Sequence, residues 1–560
     1  MFGASRIPSP RVVLALALLA VFCGVSGRTG DAQTLSITAL IGLGDSLTHG
    51  TMDATNNELN TRNAFLQRVR DALAQRMIVA FRQPFFDTNE TRIDPSSVPT
   101  NLAVDGADSF SLDGLAYYKR MGTGESLADP GLILDKLFPG GLDDPYDKVL
   151  YPINLLARKS ITQIGAAEWL LGEGLPAAGV DKAITVYWVG NNDSSTSALG
   201  FGGSNPLFVP IPFDEIFPVL PGVVTLLKIG EGLGLVSSQP YTGAAIERNL
   251  TSLQDYFAQQ GSLLSRLIAA GAAGGVDNQI FVLTLPHYSS VGYLFDSEDL
   301  EFYLGKVNPA YRVPPSFARV APRGQPITDP SRGDRVSMIT FTLMYAMLES
   351  GFPTWWVNRV LEQDGVQRDG LVLSEAEVQQ IVTRIEQFNA SLRVLAQAAG
   401  PNVHVVEIGG VLSQILSGNI PVSVGGRTAS RKWIRGNAFS FDGVHPGYLG
   451  QQLIANYVLQ RINEEMGLTA PLGSLETAFT SDPYVDRDGD GWAAGPDYTH
   501  AGITEVLFLL KDPDDANASV QVEMPDDVWP RIRDAMLHDL LARVPALRAD
   551  AVRLGLVGSN

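Results

Sequence analysis

Ile41-Gly-Leu-Gly-Asp-Ser-Leu-Thr-His-Gly50 decides the fold. It closes an apolar run from Leu35 to Leu43, which reads as a buried strand. The strand turns at Gly44-Asp45-Ser46 into a short helix start. A serine at such a turn presents its hydroxyl at the carboxyl edge of a sheet, where ligands of open α/β folds bind. The helix N-terminus behind it leaves free N–H groups for a developing oxyanion. Taken alone, the same residues fit a turn that merely caps a helix.

Outward from there, buried strands recur at Ile184–Val189, Gln279–Leu285 and Val403–Ile408. Helical spacing covers Arg62–Met77, Ile161–Leu171, Ile246–Ala270 and Gly447–Met466, and Ser374 with Glu377 signals a capping box before a helix reaching about Ala399. Strands alternating with helices predict an α/β fold, a parallel sheet with helices on both faces. The 560 residues are 45% hydrophobic, enough for a large core and too apolar for a disordered chain. A formal charge of −19 argues against a nucleic-acid partner. One cysteine, Cys23, excludes a disulfide scaffold and a cysteine-based zinc site.

Three further strand or loop ends carry chemistry. Asn101-Leu-Ala-Val-Asp-Gly-Ala107 offers the bare backbone N–H of Gly106, or only a turn glycine. Val186-Tyr-Trp-Val-Gly-Asn-Asn-Asp193 places Asn192 after a strand, where its amide can donate to an oxyanion or simply make a turn. Phe441-Asp-Gly-Val-His-Pro446 sets Asp442 three residues before His445. An imidazole can take a hydroxyl proton and return it to a leaving group, and a nearby carboxylate orients it. Ser, Gly, Asn and Asp-x-x-His in this order form a complete acyl-transfer set.

This arrangement resembles the GDSL, or SGNH, hydrolase family over Leu35 to Gly467. The resemblance implies a three-layer α/β/α sandwich with a flavodoxin-like sheet and metal-free ester or thioester hydrolysis. It implies Ser46 as nucleophile, the Ser46 N–H, Gly106 N–H and Asn192 side chain as oxyanion hole, His445 as base and Asp442 as its orienter. Segments 51–100, 194–239 and 296–369 lie outside the family core as long insertions, so the resemblance carries no substrate class. The Gly-x-Ser-x-Gly elbow of ordinary α/β-hydrolases is absent around Ser46.

Other signals lie at the periphery. Arg6 and Arg11 precede the apolar run Val12–Phe22 and small residues through Gly27, the pattern of a cleaved export signal over residues 1–27. Cys23 offers the rival of a lipid-anchored N-terminus. No later run reaches ~18 apolar residues, so no transmembrane segment is expected in the mature chain. Pro206–Leu235 reads as an apolar wall or lid for an acyl chain, or as core. His49 and His287 are candidates to line the pocket, with packed or exposed histidines as the alternative. Trp355-Trp356 and Phe352 offer a binding surface or core packing.

From about Ala470 to Asn560 the texture is acidic and Gly-rich and then helical from Val528 to Leu556, read as a C-terminal appendage. Within it Asp486, Asp488, Asp490 and Asp497 fall at positions 1, 3, 5 and 12 of an EF-hand-type count, fitting a structural calcium or a solvated Asp-Gly turn. The expectation is an exported, secreted or periplasmic, serine esterase of lipase type acting on a lipid or other acyl ester. Carbohydrate deacetylation and acyl transfer use the same residues, and a non-catalytic binding protein is the remaining class.

Overall fold

The computed structural model describes residues 36–115, 145–199, 246–362 and 372–496, apart from 90, 158–160, 326, 328, 330 and 350, with 207–208, 236–237, 512, 514–519, 548–553 and 555 besides. The expected export signal over residues 1–27 with Cys23, nearly all of Pro206–Leu235, Asp497 and most of the helix expected over Val528–Leu556 lie outside the described residues.

Five parallel strands form the central sheet: β1 (Ile37–Gly44), β2 (Ile78–Ala80), β3 (Lys182–Trp188), β4 (Asp277–Leu283) and β5 (Val403–Val406), in the order 2-1-3-4-5. That order is the one found in flavodoxin-like sheets. β1 and β3 are buried almost throughout, as strands covered on both faces must be. The principal helices are α1 (Ser46–His49), α2 (Phe65–Leu73), α3 (Gln163–Trp169), α4 (Asn192–Leu199), α5 (Leu253–Gly274), α6 (Ser297–Val307), α7 (Met338–Glu349), α8 (Glu375–Ala399), α9 (Ile408–Leu416) and α10 (Tyr448–Met466), of which α1, α2, α3, α5, α8 and α10 pack against these strands.

Alternation along β3 shows the two faces directly. Trp188 meets Phe65 of α2 edge-on at 5.6 Å, while its neighbour Tyr187 donates to Gln260 of α5 at 2.5 Å. Successive strand side chains point to opposite faces, so α2 and α5 lie on opposite sides of the sheet.

The elements expected from sequence are present with shifted ends. One long helix over Ile246–Ala270 is a correction: it is two helices, Ile246–Asn249 and α5. Ser252 divides them, its hydroxyl accepting from the Asp255 N–H at 3.2 Å as an N-cap. β2 was not foreseen. It is three residues long and sits within the stretch expected as the insertion 51–100, which also contributes α2.

The segment expected as an insertion at 296–369 packs its aromatic rings inward. Phe295, Tyr303, Phe341 and Tyr345 gather with Trp433 and Trp492, with centroids 4.4–6.1 Å apart. Tyr484 and Trp492, from the stretch expected as an appendage, are buried in the same core. Phe352 and Trp356 are buried there too, whereas Trp355 is 44% exposed. No helix among the described residues is long and apolar enough to cross a membrane.

Candidate active site

The site is assembled where parallel strands end. Gly44 of β1 pairs with Trp188 of β3, so the residues following each strand emerge at the same edge. Ser46 follows one and Asn192 the other. Gly44 has φ of +153°, and a Cβ there would lie 2.4 Å from the Trp188 carbonyl oxygen. Only glycine lets the chain turn this tightly. Asp45 caps α1, its carboxylate accepting from the Leu47 N–H at 3.0 Å. Ser46 thereby occupies the first helical position, and its own N–H has no acceptor among the described residues.

Gly106 reaches the same edge by another route. Beyond the short β2, residues 100–104 run beside the second half of β1, with the Leu102 N–H donating to Gly42 and the Val104 N–H to Gly44. The chain then turns at Gly106, which has φ of +73°, is exposed and has an N–H without an acceptor among the described residues. The Asn192 amide donates to the carbonyl of the next residue, Ala107, at 3.1 Å. Asp193, fully buried, accepts from both the N–H and the hydroxyl of Ser109. These bonds fix the Asn192 block against the Gly106 block.

The Asp442–His445 loop is delivered by α10. Gln451 and Gln452 of that helix accept from the Phe65 N–H and the Arg68 guanidinium of α2. Across 399 positions of sequence, His445 Nε2 lies 2.8 Å from Ser46 Oγ. His445 Nδ1 lies 2.6 Å from Asp442 Oδ2. With Asp442 ionised, Nδ1 carries the proton and Nε2 accepts from the serine hydroxyl. Asp442 Oδ1 also accepts from the Val444 and His445 N–H groups and the Ser440 hydroxyl. Oδ2 accepts from the Ala54 N–H at 2.8 Å.

The charges follow from these contacts. Burial alone would depress the His445 pKa, but the Asp442 charge and hydrogen bond outweigh it and hold the imidazole above its ordinary value. Burial pushes Asp442 up, and the facing imidazole with the loop N–H groups pulls it below the usual carboxylate range. Asp45 behaves oppositely. Burial raises it to about 7, against the amide of Asn191 and the N–H of Leu47.

His445 thus joins Ser46 to Asp442, and Gly106 in its turn and Asn192 at the start of α4 sit side by side at the same edge. Sequence reasoning missed Asn191, whose amide donates to Asp45 at 3.0 Å. Two adjacent asparagines give no local signal of which one points where. It also missed Asp53 and Ala54, both at φ of +54°. Their N–H groups bind Ser440 and Asp442, and strain of this kind is held by such contacts.

Other candidates lie elsewhere. His49 is buried, with Nδ1 2.7 Å from the Ala103 carbonyl and its ring against Phe86, and burial lowers its pKa. His287 pairs with Glu386. A cleft of about 370 Å³ lies away from this edge, between α6 and Arg319, Arg323 and Arg435, and none of the five site residues lines it. Two acidic groups could each hold a divalent ion: Asp486, Asp488 and Asp515, and Asp488, Asp490 and Asp512. Asp512 and Asp515 were not foreseen, because a count along one loop cannot see residues returning from further on. No family model, no curated protein and no solved structure matches this chain.

Proposed function

We propose that the protein is a serine ester hydrolase of the GDSL/SGNH type, built on that family's three-layer flavodoxin-like sandwich. The observation that carries the proposal is the hydrogen-bonded series Ser46–His445–Asp442, drawn together from the two ends of the fold. A nucleophile within reach of a base, and a base oriented by a third group, is the signature of an activated serine.

The chemistry follows from the geometry. His445 Nε2 takes the Ser46 proton as Oγ attacks an ester carbonyl. Asp442 holds the imidazole in the required tautomer and stabilises the imidazolium. The Ser46 and Gly106 N–H groups and the Asn192 amide stabilise the tetrahedral oxyanion, with Asn192 exchanging its Ala107 contact for the substrate. His445 returns its proton to the leaving alcohol, and water repeats the sequence on the acyl-enzyme. The export signal supports action outside the cytoplasm, and the apolar Pro206–Leu235 stretch supports an acyl ester as substrate.

The test is hydrolysis of p-nitrophenyl esters from acetate to palmitate by wild type and Ser46→Ala, with and without EDTA. Activity lost in the variant and kept in EDTA is expected. Equal activity in both proteins, or none on any ester, overturns the reading. A maximum at acetate would favour deacetylation over lipid hydrolysis.

A further inference from the structure

Asp486-Arg-Asp-Gly-Asp-Gly-Trp492 packs against α6, where the Tyr303 hydroxyl donates to the Gly491 carbonyl at 3.1 Å, and its carboxylates do two different jobs. Asp486 organises the loop: its two oxygens accept from the Gly489 and Gly491 N–H groups at 2.6 and 2.9 Å. Asp515 is also engaged, with the Arg487 N–H at 2.9 Å and the Arg487 guanidinium at 3.4 Å. Asp488, Asp490 and Asp512 differ. Each uses Oδ1 for a backbone N–H, of Asp490, Trp492 and Asp514 respectively. Each leaves Oδ2 shielded from solvent with no hydrogen-bond partner among the described residues. Asp490 and Asp512 are 8% and 4% exposed. The three side chains place carboxylate oxygens within 4.8 Å of one another.

Mutual proximity of acids alone would say little, since exposed acidic groups commonly gather. Unpartnered oxygens on two nearly buried carboxylates are a separate matter. Burying an ionised carboxylate without a partner is costly, and buried charges are ordinarily paired or bound to a metal. Among the described residues no basic group forms an ion pair with these three. Lys306 lies over the Phe302 and Trp492 rings and its charge reaches Asp490 only through space, Arg427 donates to the Arg487 carbonyl, and Arg487 is occupied by Asp515.

We propose that Asp488, Asp490 and Asp512 bind a calcium ion, which pins Asp512 to the Asp486–Trp492 loop. Hard carboxylate oxygens select a hard cation, and calcium accepts irregular sets of carboxylate and water oxygens where magnesium demands a near-ideal octahedron. The main chain is already in place, since the Asp512 N–H donates to the Ala493 carbonyl at 3.1 Å. The loop also has a mechanical link to the Asp442–His445 loop. Trp492 packs on Trp433 at 5.9 Å, and the Trp433 indole donates to the carbonyl of Phe441, the residue before Asp442. Calcium therefore supports the candidate active site from behind, without contact with substrate.

The test reads binding rather than hydrolysis, so it stands or falls apart from the ester-hydrolase reading. Full-length protein stripped with EGTA and exchanged into metal-free buffer is titrated with calcium chloride by calorimetry. Thermal unfolding is followed with and without the ion, and terbium luminescence is excited through tryptophan. The expected results are binding with Kd between about 10⁻⁶ and 10⁻³ M, a higher Tm with calcium and sensitised terbium emission that calcium displaces. Asp490→Asn and Asp512→Asn should each weaken binding at least tenfold and lose the Tm response. No heat and no Tm change in wild type overturn the site, whether or not the variants fold. Wild-type affinity in a folded Asp512→Asn overturns the assignment of that ligand, and magnesium binding as tightly as calcium overturns the choice of ion.

Discussion

The edge of the sheet that carries Ser46 and the aromatic block that carries Trp433 are built by opposite means. At the edge, the parts are small polar groups at strand ends, and backbone hydrogen bonds set their positions: Leu102 and Val104 to β1, Ala54 to Asp442, Asn192 to Ala107. In the block, the parts are large rings around Tyr303, Phe341 and Trp492, with a charge cluster at one side. Arg431, 2% exposed, pairs with Asp296 and Asp299, and Lys432 and Arg435 add to the same carboxylates. Arg431, Lys432 and Arg335 hold Asp296 well below the usual carboxylate range, despite burial that would raise it. The two regions meet through Tyr293, whose N–H donates to the carbonyl of Gly443 at 2.8 Å between Asp442 and His445. The comparison teaches that chemistry and support can be separated in space. A few polar groups carry the proposed chemistry, and a much larger block holds their loop.

Ser46→Ala probes the edge alone. It should lower kcat for ester hydrolysis by ~10⁶-fold, leaving a residue of oxyanion and binding effects, with the unfolding midpoint unchanged. A large stability loss would break the separation. Asp442→Asn comes next, with a drop of ~10⁴-fold in kcat. Its pH profile sharpens the assignment. The base must be neutral, so wild-type kcat/KM should rise with pH through a pKa above the ordinary histidine value. Removing the carboxylate charge should move that limb to lower pH, and an unmoved limb would mean that Asp442 does not set it.

Arg431→Met probes the block. Leaving Asp296 and Asp299 without this partner should cost about 3–5 kcal/mol in denaturant unfolding, while the remaining folded enzyme keeps the wild-type pH profile. Asn192→Ala should reduce kcat by ~10²–10³-fold with little change in stability, as for loss of one oxyanion donor. An equal rise in KM with kcat preserved would reassign it to binding. The smallest effect is expected at Ala54, held at φ of +54°. Ala54→Gly should stabilise the protein by up to about 1 kcal/mol and keep kcat within about twofold, because the N–H to Asp442 remains.

Local pattern carried much of the fold. β1 and β3 are nearly continuous apolar runs and β4 ends in one, Ile280–Leu283, because both faces are covered there, and such runs are readable one strand at a time. The capping box at Ser374 is likewise a local signal with a local cause, and it is present at the start of α8. β2, three residues long, lies in the apolar run Met77–Phe81, which is too short to be told from the end of the preceding helix. Its place was decided by pairing of Ile78 with Ile37, a contact that no window of sequence contains. The segment from Phe295 to Tyr345 looked separable because a ring's partners are invisible until the chain returns. Trp433 and Trp492, which complete its packing, come about a hundred residues or more later.

The sequence by itself determined the residue types and their order: a serine after the first strand, glycine and asparagine at later ends, and Asp-x-x-His before the last helix. It also placed Ser46 and Asn192 at strand ends, since a parallel sheet presents all such ends at one edge. Only the tertiary structure decided that His445 Nε2 comes within 2.8 Å of Ser46. It alone selected Asn191 to hold Asp45, brought the Ala54 N–H to Asp442 and joined Asp512 to Asp488 and Asp490. The reason is physical. Strand and helix signals arise from neighbours along the chain, whereas hydrogen bonds and buried charges are satisfied by whichever groups packing brings near.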